Sequence, residues 1–182
     1  WENHYSIYNA KNKWSAFALR GFSIDPSFII KPVEMSKKWK TENQDKLSWV
    51  ATNTEAYDKF PRTLKLLRKL IKADYERVRF MRLAAEGGIL KRHADITDRF
   101  AGTADNKVTR LHIPIYTNEK VKVRGWGLDG GCIEMQWKEG GLYYLDQRKP
   151  HEVVNESATD RIHLVVDCIA NEYVRGLIRG GI

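Results

Sequence analysis

The 182-residue chain is 42% hydrophobic and 30% charged, enough apolar side chain for one domain with a core of its own. No stretch approaches the ~18 uninterrupted apolar residues of a membrane span, no charged-then-apolar leader opens the sequence, and two cysteines are too few for a disulfide framework; a cytoplasmic location is the expectation. The net charge of +8, from 31 basic and 23 acidic residues, admits nucleic-acid binding by phosphate neutralisation, but no zinc-finger or RNP motif accompanies it, so nucleic acid is not the favoured partner.

In chain order, the front half reads as helical and mixed. Residues 26–47 are polar and irregular, and Pro26 and Pro32 limit any helix there. Leu64, Leu67, Leu70 and Ile71 recur at helical spacing behind Pro61, with Leu66 widening the stripe, which predicts a helix packed on a core. Arg62, Lys65, Arg68, Lys69 and Lys72 then form its solvated face. Arg77, Arg79, Arg82, Lys91 and Arg92 follow, and some of these later arginines suit an anionic substrate in a pocket.

From Val78 onward the period changes to two. Leu111, Ile113 and Ile115 alternate with Arg110, His112 and Pro114, and Val121 and Val123 with Lys122 and Arg124. Segments 132–137, 142–146, 151–154 and 161–168 follow, separated by Gly-rich or Asn/Asp/Ser-rich turns. Short strands at this spacing predict a mainly β chain with flanking helices (α+β), built as a double-sheet jelly roll. Cys132 and Cys168 sit in apolar, strand-like runs and read as buried thiols. Tyr173, Val174, Leu177 and Ile178 predict a short C-terminal helix. With no repeat, low-complexity tract or linker, residues 1–182 read as a single domain.

His93-Ala94-Asp95 carries the most chemistry. On an extended segment, alternation puts this imidazole and carboxylate on one side of the backbone. A distant His151 can supply a third ligand and leave the opposite face of a metal open, the set that non-haem Fe(II) oxygenases use. Arg161, ten residues after His151, offers a planar positive fork for a dicarboxylic acid. Arg161, His163 and Val165 share one strand face, and Arg110 and His112 share another. The apolar runs around them imply strands covered on both sides. Together these residues suggest an Fe(II)/2-oxoglutarate oxygenase.

Segments 60–67 (FPRTLKLL), 79–95 (RFMRLAAEGGILKRHAD), 109–115 (TRLHIPI), 137–157 (WKEGGLYYLDQRKPHEVVNES) and 161–167 (RIHLVVD) resemble the aspartyl/asparaginyl β-hydroxylase family of 2-oxoglutarate dioxygenases, with similarity also to bacterial proline hydroxylases. The resemblance covers about residues 50–168 and leaves the first fifty uncovered. It implies a double-stranded β-helix, the cupin-like jelly roll, with His93, Asp95 and His151 as iron ligands. It implies that Arg161 holds the distal carboxylate of 2-oxoglutarate, and that Arg110 and His112 line the cosubstrate pocket. Trp137 and Asn155 match positions flanking the second histidine, where a packing role suits them at least as well as a chemical one. The mammalian aspartyl hydroxylase has glycine at the position of Asp95, so this chain resembles the branch with a full triad. Gly87-Gly88 stands where the family has a Pro-Gly turn.

The expected reaction is hydroxylation of an unactivated C–H bond in an amino acid or amino-acid side chain, free or within a polypeptide, with Fe(II) as cofactor, 2-oxoglutarate and dioxygen as cosubstrates and succinate as product. An oxygenase acting on nucleic acid and a non-oxygenase cupin-type metal protein are the alternatives; the first draws on the +8 charge, and Arg161 with the Arg-x-His pair argues against the second. A compact chain tilts the expectation toward a small amino-acid-like substrate.

Overall fold

The period-two segments form two facing antiparallel sheets. The computed structural model describes residues 1–32, 35–44, 50–95, 101–105 and 107–181. Its front half holds β1 (Glu2–Asn3), β2 (Asn9–Ala10), β3 (Trp14–Gly21), α1 (Lys37–Glu42), β4 (Thr52–Asn53), a 3-10 turn at Tyr57–Lys59 and α2 (Pro61–Leu70). The back half holds β5 (Tyr75–Leu83), β6 (Gly88–His93), β7 (Val108–Tyr116), β8 (Val121–Trp126), β9 (Cys132–Met135), β10 (Tyr143–Tyr144), β11 (His151–Asn155), β12 (Arg161–Ile169) and α3 (Glu172–Arg179).

The larger sheet runs β1-β3-β5-β12-β7-β10, with β4 also paired to β3, and the smaller runs β2-β6-β11-β8-β9. From β5 to β12 the chain passes back and forth between the sheets, so that β5-β12-β7-β10 faces β6-β11-β8-β9. This is the double-stranded β-helix, a jelly roll of eight strands. β2 extends the smaller sheet, while β1, β3 and β4 extend the larger.

The central strands of the larger sheet are covered on both faces, for different reasons. On one face Val78, Phe80, Leu111, Ile113, Leu164 and Val166 meet Leu64 and Leu67 of α2 and Val174 of α3. Burying each such leucine-sized side chain contributes about 1.5–3 kcal/mol. Alternation puts Arg77, Arg79, Arg110, His112, Arg161 and His163 on the other face, where they line a cavity between the sheets. The helices are held by short-range devices. Pro61 opens the first turn of α2, and the Asn171 side chain accepts from the Val174 N–H to cap α3, a cap worth about 1 kcal/mol. Among the described residues, no helix is long and apolar enough to cross a membrane.

Four local expectations are corrected. The front half contributes strands as well as helices, above all the eight-residue β3 beside β5. Leu66 is 39% exposed; it belongs to the solvated side of α2, because Leu64, Leu67 and Leu70 form the stripe that turns onto the core. Ile115 is exposed, because β7 carries an extra residue there: Ile162 pairs with Tyr116 and His163 with Pro114, and such a bulge turns a side chain out of alternation. Cys132 is exposed on β9, which pairs with β8 alone and whose Cys132, Ile133 and Glu134 all face solvent. Cys168 is buried, and burial, with Asp167 adding to it, pushes its thiol up to about 12, leaving it inert. Of the polar stretch 26–47, α1 is a single short helix, and residues 33, 34 and 45–47 lie outside the described residues.

Candidate active site

A cavity of about 670 Å³ opens between the two sheets, and all five histidines of the chain line it: His4, His93, His112, His151 and His163. His93 ends β6 and His151 begins β11, and the two face each other across the ladder between these strands. Their rings lie 4.3 Å apart, and Tyr8 stacks on His93 at 4.6 Å. Asp95 follows β6 directly, anchored by its backbone N–H, which donates to the Gln147 carbonyl at 2.7 Å. The ligand atoms of His93, Asp95 and His151 all lie within 4.8 Å of one another. Among the described residues, this is the only group of at least three His, Cys, Asp or Glu side chains placed to share a metal ion.

The donor chemistry fits a divalent metal. Nδ1 of His93 lies 2.7 Å from the Lys91 carbonyl, and Nδ1 of His151 lies 3.0 Å from the Lys149 carbonyl. A carbonyl only accepts, so both rings carry their proton on Nδ1 and keep the Nε2 lone pair for a metal, the usual outer support of histidine ligands. Burial, then the neighbouring His93, lowers the pKa of His151 and favours the neutral ligand form. Asp95 Oδ1 sits 3.5 Å from His93 Nε2, while its Oδ2 accepts from Arg110 Nη1 at 2.7 Å. Burial alone would raise the Asp95 pKa, but Arg110, His151 and His93 outweigh it and hold the carboxyl below its ordinary value.

Arg110 reaches two carboxylates. Besides Asp95, its Nε donates to Asp167 Oδ1 at 2.6 Å. Asp167 is fully buried and accepts in addition from Arg77 Nε at 2.7 Å and Arg79 Nη2 at 3.1 Å. Desolvation would raise its pKa, yet the three guanidiniums keep it well below the carboxylate range. A carboxylate so enclosed fixes the arginines on the cavity floor.

Arg161 has no such partner among the described residues. Asp167 is engaged by Arg77, Arg79 and Arg110, and Glu134 binds Arg124 on the surface. The guanidinium bonds instead to His163, through Nη2 and Nδ1 at 2.8 Å, and its buried Nε has no acceptor among the described residues. Burial lowers its pKa to about 9, so it is still a cation at neutral pH. An unpaired buried donor costs about 1–3 kcal/mol, more when charged, which fits a site made for an anion. His112 stands nearby, 5.1 Å from the Trp137 ring, and burial, with Arg110 and Arg161, holds its pKa well below the histidine range.

All six residues expected from the sequence line this one cavity. Of the two flanking positions, Trp137 forms part of the wall, stacked on Tyr143 at 4.9 Å and on His163 at 5.5 Å. Asn155 is structural: its amide donates to the carbonyls of Leu83, Ala84 and Thr159, and its Oδ1 accepts from Ser157. Those bonds pin the turn before β6, where Gly87 has φ +86° and a Cβ on Gly88 would meet the Ala84 carbonyl. Sequence reasoning missed His4, Tyr8 and Trp14, which close one side of the cavity; no motif marks them. It also missed Asp167 as the partner of Arg77 and Arg79, although the alternation of both strands was readable.

A profile of the aspartyl/asparaginyl beta-hydroxylase family matches residues 1–171. The first fifty residues therefore fall within the family match, in keeping with β1 and β3 in the larger sheet and His4 to Tyr8 at the cavity. No match is found among curated protein sequences. Among solved structures, an oxidoreductase of the 2OG-Fe(II) oxygenase family from Burkholderia pseudomallei aligns at TM-score 0.51 and 13% identity, over 67% of this chain and 61% of that one. A cupin domain from Bordetella pertussis aligns at TM-score 0.36 and 17% identity, over 54% of this chain and 86% of that one. A Bacillus subtilis oxalate decarboxylase aligns at 0.38 and 20%, over 58% and 24%. The chain thus spans less than two thirds of the oxygenase and of the decarboxylase. By the match across nearly its whole length, the chain belongs to the aspartyl/asparaginyl β-hydroxylase family.

Proposed function

We propose that the chain, as one catalytic domain, holds Fe(II) on His93, Asp95 and His151, binds 2-oxoglutarate with its distal carboxylate on Arg161, and hydroxylates an unactivated C–H bond of an amino acid or amino-acid side chain. The observation that carries this reading is Arg161, a buried cation on the wall of the cavity that holds the triad, with no carboxylate partner among the described residues. The bound iron, with 2-oxoglutarate and dioxygen, supplies the oxidising power, and 2-oxoglutarate leaves as succinate and carbon dioxide.

The chain's own residues orient and exclude. The two imidazoles present Nε2, and Asp95 presents Oδ1 because Arg110 occupies Oδ2. Arg110 therefore serves the cosubstrate pocket chiefly through Asp95, while neutral His112 lines it beside Trp137. Tyr8, Trp14 and Trp137 wall the cavity against water. A reducing cytoplasm suits the two free cysteines.

The test begins with metal affinity. His93→Ala and His151→Ala should each weaken Fe(II), or redox-silent Mn(II), by at least the 10- to 100-fold seen for lesser perturbations of metal sites. Wild-type protein with Fe(II) should then form succinate when amino acids or peptides are added, and not when oligonucleotides are. Unchanged metal affinity in both variants defeats the metal assignment. Succinate formation triggered by oligonucleotides alone moves the substrate to nucleic acid.

A further inference from the structure

The ring of His4 offers the cavity a donor of fixed direction. The Ser6 backbone N–H donates to His4 Nδ1 at 3.3 Å; a peptide N–H only donates, so Nδ1 accepts and the ring proton sits on Nε2. Among the described residues no acceptor meets that Nε2, and the half-buried ring lines the cavity. Its neighbours hold the ring in place. It stacks on Trp14 at 3.7 Å and on Tyr5 at 4.7 Å. The His4 backbone N–H donates to the Trp14 carbonyl, and the Asn9 amide donates to the carbonyls of His4 and Trp14, each bond at 2.9 Å. Tyr5 and Ile7 line the same cavity yet are exposed, so this end opens to solvent.

His4 and Arg161 serve different ends of the cavity. Burial, then Arg79, Arg77, Arg110 and His93, hold His4 well below the histidine range, so its ring is neutral. Burial, then Arg161 and His112, do the same for His163. His4 thus answers to the arginines anchored on Asp167, and His163 to Arg161. A cosubstrate held on Arg161 leaves the open His4 end, beside His93, to the substrate. We infer that His4 is a specificity residue of that substrate site, donating from Nε2 to a carboxylate of the substrate. This rests on the cosubstrate reading above. A carboxylate suits the position better than a neutral carbonyl, because the charges that bear most on His4 are positive and a hydrogen bond to an ionised acceptor is roughly twice as strong. The neutral ring gives direction, and the arginines give the field.

The experiment is calorimetric titration into protein loaded with Mn(II) and 2-oxoglutarate. The probes are the L-amino acids, each beside its carboxamide: the α-amides, with asparagine and glutamine for the side chains of aspartate and glutamate. His4→Phe removes the donor and keeps a ring against Trp14, and His4→Gln keeps a planar N–H donor. A thermal melt of each confirms the fold, and His4→Leu replaces the phenylalanine variant if that one does not fold. His4→Phe should weaken the tightest-binding acid on the order of ten- to a hundredfold, the range for a hydrogen bond to a charged group, and its amide by no more than about fivefold. His4→Gln should recover most of the loss. Equal weakening of acid and amide assigns the ring to packing and overturns the proposal, as does unchanged acid affinity in the folded variants or the lack of any binder among the probes. Failure of the wild-type protein to load 2-oxoglutarate removes the cosubstrate reading itself, a result distinct from a failure of His4 alone.

Discussion

The two oxygens of Asp95 face different partners: Oδ1 turns toward His93 Nε2 and Oδ2 accepts from Arg110 Nη1. Arg110 in turn is fixed through Nε on Asp167, so a buried carboxylate positions an arginine that positions a candidate metal ligand. The His-x-Asp spacing and the Arg-x-His strand were both legible as pocket residues. Their bond to each other was not, because it joins the end of β6 to β7, fifteen residues on. Arg110→Lys separates the two roles open to Arg110. Lysine keeps the charge but cannot bridge two carboxylates with a planar fork. The expected result, read by Mn(II) titration, is metal affinity lower by about 10–100-fold, with 2-oxoglutarate affinity at saturating metal unchanged. The reverse pattern would place Arg110 directly on the cosubstrate.

β6 departs from the regular alternation that made the site readable. His93 pairs with His151 and Leu90 with Val153, so three residues of β6 span what two residues of β11 span. The extra residue is a bulge, and it lets Leu90 and His93 both face the cavity although an odd spacing separates them. Deleting Lys91 removes the extra residue and leaves Leu90 and His93 two apart, an even spacing that keeps both on the cavity face. The deletion variant should retain its far-ultraviolet circular dichroism and its Mn(II) affinity, short of the 10–100-fold loss of a disturbed site. A loss of that size would show that the bulge itself, and not the facing of the strand, aims the ligand. The same reliance on alternation explains what the sequence concealed. β3, WSAFALRG, buries Ser15, Ala16, Ala18 and Leu19 between β1, β4 and β5, so no polar face marks it as a strand. β1, β2, β4 and β10 are two residues each, too short for any period to register. The long strands β5, β7 and β12 were legible because one face meets helices and the other meets the cavity.

Over the whole molecule the +8 charge divides between two places with different consequences. Arg77, Arg79, Arg110 and Arg161 lie on the cavity wall, the first three held on Asp167, and are not available to a large polyanion. The exposed share is clearest on α2, where Leu64 and Leu67 face the core and Arg62, Lys65, Arg68 and Lys69 face solvent. Helical geometry alone accounts for that split, because an amphipathic helix must put its charges opposite its apolar stripe. Such a face attracts phosphates without reading bases, and its affinity depends on counterion release. The expected measurement, by fluorescence anisotropy with labelled DNA and RNA, is binding no tighter than the ~1–100 μM range of non-specific complexes, equal across sequences. Four phosphate contacts give a slope of about −3.6 in log affinity against log salt on duplex DNA, so the signal should vanish on raising salt from ~50 to ~200 mM. Tight, sequence-selective binding that survives moderate salt would convert the α2 face into a recognition surface. It would also make nucleic acid the stronger candidate for the hydroxylated substrate, since a polymer bound outside could then feed a base or sugar into the cavity.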